Sequence, residues 1–393
     1  MFNKNLFLLF ISQIFSFTAA PITVFLSGII GTTMTNSKSL VTLPTALMIV
    51  GTSLGSVFAS YLMSKVGRKA GFMIGTIITS TSGLLAAFSV TNNYFYYYCL
   101  SNLFIGIGFA FTAQYRFAAA ENVSKKFIPT AISIILFGSM IGALIGPNVA
   151  TYTKDLISSS LYTGSYIFLS ILTIIPFFFL IFYNNESKKK ISDNNYKKNP
   201  RSFYQLLSQP KFTQAVVSAG IGYVTMSFLM TATPISMHII DDISIDKTSF
   251  VIQMHILGMF LPSLFTGNLI KRYGHNTIMY IGLTILLLCI FLNFIDQNFY
   301  NYLFALIFLG IGWNFLYIAG TSLLIISYEP HEKFKSQGLN DFIVFTTQAT
   351  GALSAGFLLN LYNWQTINII CIPLLILVFF VIYRSNNLKE KKI

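Results

Sequence analysis

The sequence predicts an all-α membrane protein whose twelve transmembrane helices form two pseudo-symmetric six-helix bundles. Three observations carry that expectation: a relay of long apolar stretches, a one-sided distribution of basic residues, and an internal repeat. Hydrophobic residues make up 54% of the 393 and charged residues only 9%, against roughly 25% charged in soluble domains. About twelve apolar stretches follow one another, from Asn5–Ile30 to the last within Thr366–Tyr383. Each has the length of about 20 residues that a helix needs to cross a hydrocarbon core of about 30 Å. A soluble bundle turns one face of each helix to water and has no use for runs this uniformly apolar. The first run is long and no cleavage motif follows it, so it is expected to remain as the first span.

The formal net charge is +13, but its placement argues against nucleic acid as a partner. Twenty-one of the 25 basic residues lie at alternate connections or at the termini, and the opposite connections hold only Lys38, Lys154 and Lys247. This is the positive-inside asymmetry, which places both termini and the central loop in the cytoplasm, here of a bacterial inner membrane. Cys99, Cys289 and Cys371 are scattered through apolar runs; three such thiols make neither a disulfide framework nor a metal site.

The one long polar stretch, 184–211, is rich in Lys and Asn. It reads as a solvated linker with a short amphipathic helix near Phe203 to Leu207. It separates a first bundle, 1–183, from a second, 212–393. The halves echo each other. Phe104 to Gly108 (FIGIG) matches Phe308 to Gly312 (FLGIG) at an offset of 204. Gly51 matches Gly258 and Gly67 matches Gly274 at 207, Glu121 matches Glu329 at 208, and Gly142 matches Gly351 at 209. Parallel six-helix repeats about an axis along the membrane normal are a transporter architecture, with the substrate near mid-bilayer.

The connection between the second and third spans, Ser60 to Phe72, resembles the signature loop of the major facilitator superfamily, Gly-x-Leu-x-Asp-Arg-x-Gly-Arg-Lys. Leu62, Lys65, Gly67, Arg68 and Lys69 fit it, while Ser60 and Ser64 replace the usual Gly and Asp. The resemblance implies a carrier that works by alternating access, with the loop latching the two halves at the cytoplasmic face. A latch needs cations on one half and an acid on the other. Asp341, near the start of the eleventh span, is the acid expected to face Lys65 and Arg68. Glu121 and Glu329 are expected to pair with Arg68 and Arg272 within their own halves; headgroup anchoring is the simpler alternative for all three acids.

Gly51, Gly55 and Ala59, then Gly138, Gly142 and Gly146, then Gly351 and Ala355 recur every four residues, which lines up small residues for close helix approach. The stretch Gly142 to Asn148 also resembles the core of a fifth-span motif of proton-coupled exporters, and plain helix packing accounts for it equally well. Arg116 is the one basic residue inside a span. An intramembrane charge is costly and normally faces a cavity or a partner, so Arg116 is the candidate to hold a carboxylate or phosphate on the cargo; snorkelling or pairing with Glu121 is the competing account. By the resemblance, spans one, four, seven and ten line the cavity. Their polar and aromatic residues include Gln13, Thr18, Gln114, Tyr115, Tyr223, Trp313, Asn314 and Tyr317, and Gln253, His255 and Gln348 lie in neighbouring spans. Apolar walls with a few amides and aromatics suit a small organic solute better than a bare ion.

No Asp or Glu lies deep in a span. Protons as a coupling ion would therefore fall to His255, although a buried neutral His bonded to Gln253 or to a carbonyl is the simpler account. Passive carriage or exchange stays open. The sequence thus points to a monomeric secondary transporter of a small organic solute, anionic or vitamin-like, without a cofactor. A proton-coupled exporter and a non-transporting sensor on the same fold are the alternatives. No constellation for an intramembrane enzyme is visible.

Overall fold

The computed structural model describes residues 3–37, 40–158, 160–184 and 200–390, and every regular element among them is helical. Lys38, linker residues 185–199 with their lysines, and Lys391 and Lys392 lie outside the described residues. The first span is α1 (Lys4–Phe17) followed by α2 (Ala19–Met34). Next comes α3 (Leu43–Thr91), with 49 residues. At 1.5 Å per residue it would measure about 74 Å, more than twice a bilayer core. It is two spans joined at Gly67, whose φ of 85° and ψ of 168° lie outside the helical region. The fourth span is α4 (Phe95–Ala113) with α5 (Tyr115–Glu121), followed by α6 (Ile128–Tyr152) and α7 (Thr163–Ile181).

The linker ends in α8 (Phe203–Leu207), closed by a capping box between Ser202 and Gln205. Beyond it run α9 (Pro210–Pro234), extended by a π-helical turn at Ile235–Ile240, then α10 (Ile245–Phe260) and α11 (Ser263–Tyr273) as one interrupted span. The last four are α12 (His275–Ile295), α13 (Phe299–Ile325), α14 (Lys333–Leu361) and α15 (Trp364–Glu390). Eleven helices among the described residues are long and apolar enough to cross a membrane, and α3 counts twice. The expected twelve crossings follow.

Two compact units emerge from the contacts. The first comprises Met1–Ser124, Gly138–Lys198 and Gln337–Phe342; the second comprises Lys125–Phe137, Asn199–Ser336 and Ile343–Ile393. The first turns of α6 thus belong to the second unit, and residues 337–342 of α14 belong to the first.

Within each unit the same helix crossings recur, and glycine makes them. Lipid tails are as apolar as Leu, so helices associate through close backbone packing rather than exclusion from water. In the first unit, a Cβ on Gly51 would strike the Leu103 carbonyl, one on Gly106 the Met48 carbonyl, and one on Gly75 the Phe111 side chain. In the second unit, Gly258 faces the Ile307 carbonyl, Gly310 the His255 carbonyl, and Gly282 the Phe315 side chain. Partners as well as glycines stand at the offsets of the sequence repeat. The elbows repeat too: Gly274 has φ 85° and ψ 163°, almost the backbone of Gly67. That region is open essentially to glycine alone.

Gly106→Ala and Gly310→Ala are each expected to destabilise the purified protein by about 1–3 kcal/mol, the usual cost of overpacking. Gly28→Ala should cost no stability, because among the described residues no atom beyond its own helix backbone stands within 4 Å of the added methyl. Thermal unfolding in detergent checks this; equal midpoints for all three would refute the account.

Candidate functional site

Gly67 turns the chain at the end of the second span, and the residue after it is carried inward. Arg68 is 1% exposed, whereas Lys65 lies on the surface over the Tyr61 ring and Lys69 reaches the Ile181 carbonyl. The second cation arrives from the break between α4 and α5. There the Phe117 amide donates to the Gln114 carbonyl, skipping the Ala113 carbonyl that a regular helix would use. The Arg116 guanidinium folds back and takes that carbonyl, with its face on the Phe117 ring at 4.3 Å. Two acids and three amides complete the cluster. Gln337 and Asp341 are four residues apart on α14 and so share a face.

All members lie within the first unit. Arg68 grips Glu121 bidentately, at 2.7 Å through Nη2 and 3.4 Å through Nε. It also donates to Gln114 Oε1 at 3.0 Å and to Gln337. Arg116 forms an ion pair with Asp341. Gln114 Nε2 donates to the other Asp341 oxygen at 2.8 Å, Asn340 adds 2.9 Å to the first, and Gln337 Nε2 reaches Glu121 at 3.2 Å. Two guanidiniums face two carboxylates, and Asp341, Gln114 and Gln337 are fully buried. A buried charge is tolerable only when paired and hydrogen-bonded, and this cluster meets both demands.

This arrangement differs from the sequence expectation. Arg116, the candidate for an anionic cargo, holds a protein carboxylate, and Gln114 bridges two members of the cluster. The cation on Asp341 is Arg116 rather than Lys65 or Arg68. Arg68 does sit on Glu121. Glu329 stands 3.6 Å from His331, and Arg272 packs on the Tyr273 ring. In that region Glu332 takes an arginine instead: Arg201, from the start of the α8 segment. Gln337, Asn340, Arg201 and Glu332 were not singled out from the sequence. The position of Gln337, one helical turn before Asp341, is the signal that would have found it.

The remaining candidates separate into frame and open residues. Gln13 donates to Ser139 at 2.8 Å, and Tyr115, 1% exposed, packs edge-on to Phe72. Asn314 donates to Met259 O and Ser263 Oγ and accepts from Thr266, so its amide pins the interruption between α10 and α11. His255 is fully buried with Nδ1 2.8 Å from the Leu306 carbonyl; Gln253 on the same helix is exposed. Trp313, Tyr223 and Tyr317 meet in the second unit, with Trp313 and Tyr317 stacked at 5.1 Å. Gln348 is half-buried.

One crossing outside the glycine series has two forms. In the first unit Gly338 of α14 lies against Ser60. At repeat offsets of 207 and 209, Gly267 lies in the second unit against Pro129 and Thr130 of α6. The first crossing adjoins the four charges. The second is neutral: Thr130, Ser133, Ser263 and Asn268 line a cavity of about 70 Å³, with a Thr130–Asn268 hydrogen bond at 3.4 Å.

Asp341→Leu is expected to destabilise by about 3–5 kcal/mol, because Arg116 is left buried and uncompensated. Adding Arg116→Met should recover most of that loss. A double-mutant cycle on thermal unfolding measures the coupling; a double variant as unstable as the sum of the singles would show that the pair does not act as one.

Comparison with known proteins gives a consistent family. The model described as Major Facilitator Superfamily matches residues 6–241 and again 215–392. The riboflavin transporter RfnT of Brucella anthropi is 33% identical over 376 residues, spanning 96% of this chain and 94% of its own. The uncharacterized MFS-type transporter YddS of Bacillus subtilis is 26% identical over the whole chain and 93% of its own length. The crystal structure of the human organic anion transporter MFSD10 superposes with a TM-score of 0.77 over 96% of this chain and 99% of that one. At 14% identity it speaks for the fold alone.

Proposed function

Because the chain belongs to the major facilitator superfamily, in which it is a secondary transporter of a small solute, we propose that its cargo is riboflavin or a closely related vitamin. The similarity to RfnT over nearly the full length of both chains carries this reading. A neutral solute fits the geometry better than an anion, since the intramembrane arginine is already matched by Asp341.

We assign residues 1–183 and 212–393 as the two halves and take the termini and the central loop as cytoplasmic. We also take it as a monomer of a bacterial inner membrane that takes up or exchanges its cargo. The basic-residue bias of 21 against three supports the cytoplasmic placement of the termini and the central loop. The Arg68, Glu121, Gln114, Arg116, Gln337 and Asp341 cluster is the cytoplasmic latch. It anchors residues 337–342 of α14, and alternating access requires those turns to leave it. Arg201 and Glu332 brace the turn that precedes α14.

Coupling through His255 has little support. Its Nδ1 is committed to the Leu306 carbonyl, and its repeat mate in the same crossing is Met48, which carries no proton. Downhill carriage or solute exchange fits the spans better.

A riboflavin-auxotrophic bacterium lacking its own importer is expected to grow on low riboflavin when it expresses this chain. Accumulation of radiolabelled riboflavin should persist in His255→Met and with a protonophore. It should fall at least about tenfold in Asp341→Asn, since a latch that cannot close stalls the cycle. No accumulation by a correctly inserted wild-type protein would reject riboflavin as cargo. Loss of uptake in His255→Met would restore the histidine as a coupling site.

A further inference from the structure

The second unit holds an aromatic arrangement that neither the latch nor the helix frame uses. Tyr223 on α9 is half-buried, and three enclosed rings meet it edge-to-face: Trp313 at 5.1 Å, Tyr317 at 4.9 Å and Phe345 at 6.1 Å. Interplanar angles of 84°, 80° and 75° hold the phenol ring from three directions, the geometry favoured by ring quadrupoles. The ring is thus fixed in orientation yet keeps accessible surface.

The helix opposite supplies a polar neighbour. Thr347 donates to the Gly220 carbonyl at 3.2 Å, and Gly351 packs on the Val224 carbonyl. Between these two contacts, α14 lies along the turn of α9 that carries Tyr223. Gln348 sits between them, three residues from Phe345 and so on the same helix side. It is half-buried, and among the described residues its amide makes no hydrogen bond. A second polar group is also unmatched. The Trp313 indole N–H is enclosed, at 1% exposure, and has no acceptor among the described residues. Buried donors are nearly always paired, and the indole can only donate.

We propose that Tyr223 and Gln348 form the subsite for a planar heteroaromatic ring of the cargo. The ring face stacks on Tyr223. The carbonyl and N–H groups along the ring edge meet the Gln348 amide, which both donates and accepts, with the Trp313 N–H as a further donor. This deepens the vitamin-carrier reading and rests on it for the identity of the ring. The subsite itself requires only a flat, π-rich solute with alternating carbonyl and N–H groups at one edge. Stacking of such a ring on one aromatic side chain typically changes affinity by about tenfold or more.

The test uses the full-length protein, purified in detergent, with riboflavin fluorescence as the probe. Stacking on the phenol quenches flavin emission, so wild type should bind with quenching. Lumiflavin, the ring without its sugar-alcohol tail, should displace riboflavin, and ribitol should not. Tyr223→Leu should weaken riboflavin and lumiflavin by about tenfold or more and lose the quenching, while Tyr223→Phe keeps the affinity through its ring face and loses the quenching that the electron-rich phenol supplies. Gln348→Leu should also weaken binding, and it decides the matter if Tyr223→Leu does not fold.

Riboflavin bound equally by wild type, Tyr223→Leu and Gln348→Leu would overturn the subsite and leave the carrier reading intact. If wild type ignores riboflavin, a thermal-shift panel of lumichrome, a pterin, simple sugars and carboxylates takes over. A flat heterocycle that stabilises wild type but not Tyr223→Leu would uphold the subsite and retire riboflavin. Stabilisation by sugars or carboxylates alone would overturn it, and no stabilising solute in either group would count against both.

Discussion

Contact between glycine and a facing carbonyl is the interaction on which this bundle rests. Inside a bilayer, apolar side chains gain nothing by leaving lipid for one another. Cohesion comes largely from dense backbone packing, which small residues, glycine above all, allow. Gly51, Gly106, Gly258 and Gly310 supply these contacts where the second and eighth spans cross the fourth and tenth. Because the contact atoms belong to the main chain, the crossing is set by helix register, and register is what the two units share. Gly67 and Gly274 fix the next step by turning the chain through the same rare backbone conformation.

On this common frame the two units have become chemically unequal. The first places two guanidiniums and two carboxylates beside the Ser60–Gly338 crossing; the second has hydroxyls, an amide and a small cavity beside Gly267. At the Arg68 register the second unit has His275, and at the Arg116 register Gly320. The charge cluster is therefore one-sided. Its strength lies in mutual satisfaction: removing any single charge strands another away from water, while the intact set costs far less.

Much of this was legible in the chain. Span number follows from apolar length, and most of the offsets from 204 to 209 follow from glycines at close helix crossings. The short helix at Phe203–Leu207 is announced by Ser202 with Gln205 three residues on. The pairing of Arg68 with Glu121 is local to one half and was readable from the repeat. Pairings across long separations were not. Arg116 and Asp341 stand 225 residues apart, and composition says only that each needs an opposite charge, without naming it. Asn314 was similarly ambiguous. An amide in an apolar helix meets cargo or backbone equally well on paper, and only the break at Leu261 and Pro262, with freed groups on either side, determines which.

Main-chain cohesion has a consequence for how such a carrier diversifies. Where backbone atoms hold much of the scaffold together, many of the side chains beside them are released from structural duty. A duplicated half can exchange an ionic cluster for hydroxyls, or an aliphatic wall for stacked rings, without disturbing the architecture that houses them. Side chains such as Tyr223 and Gln348 can then change without disturbing the backbone contacts, and the likeness of the two halves is carried by their glycines.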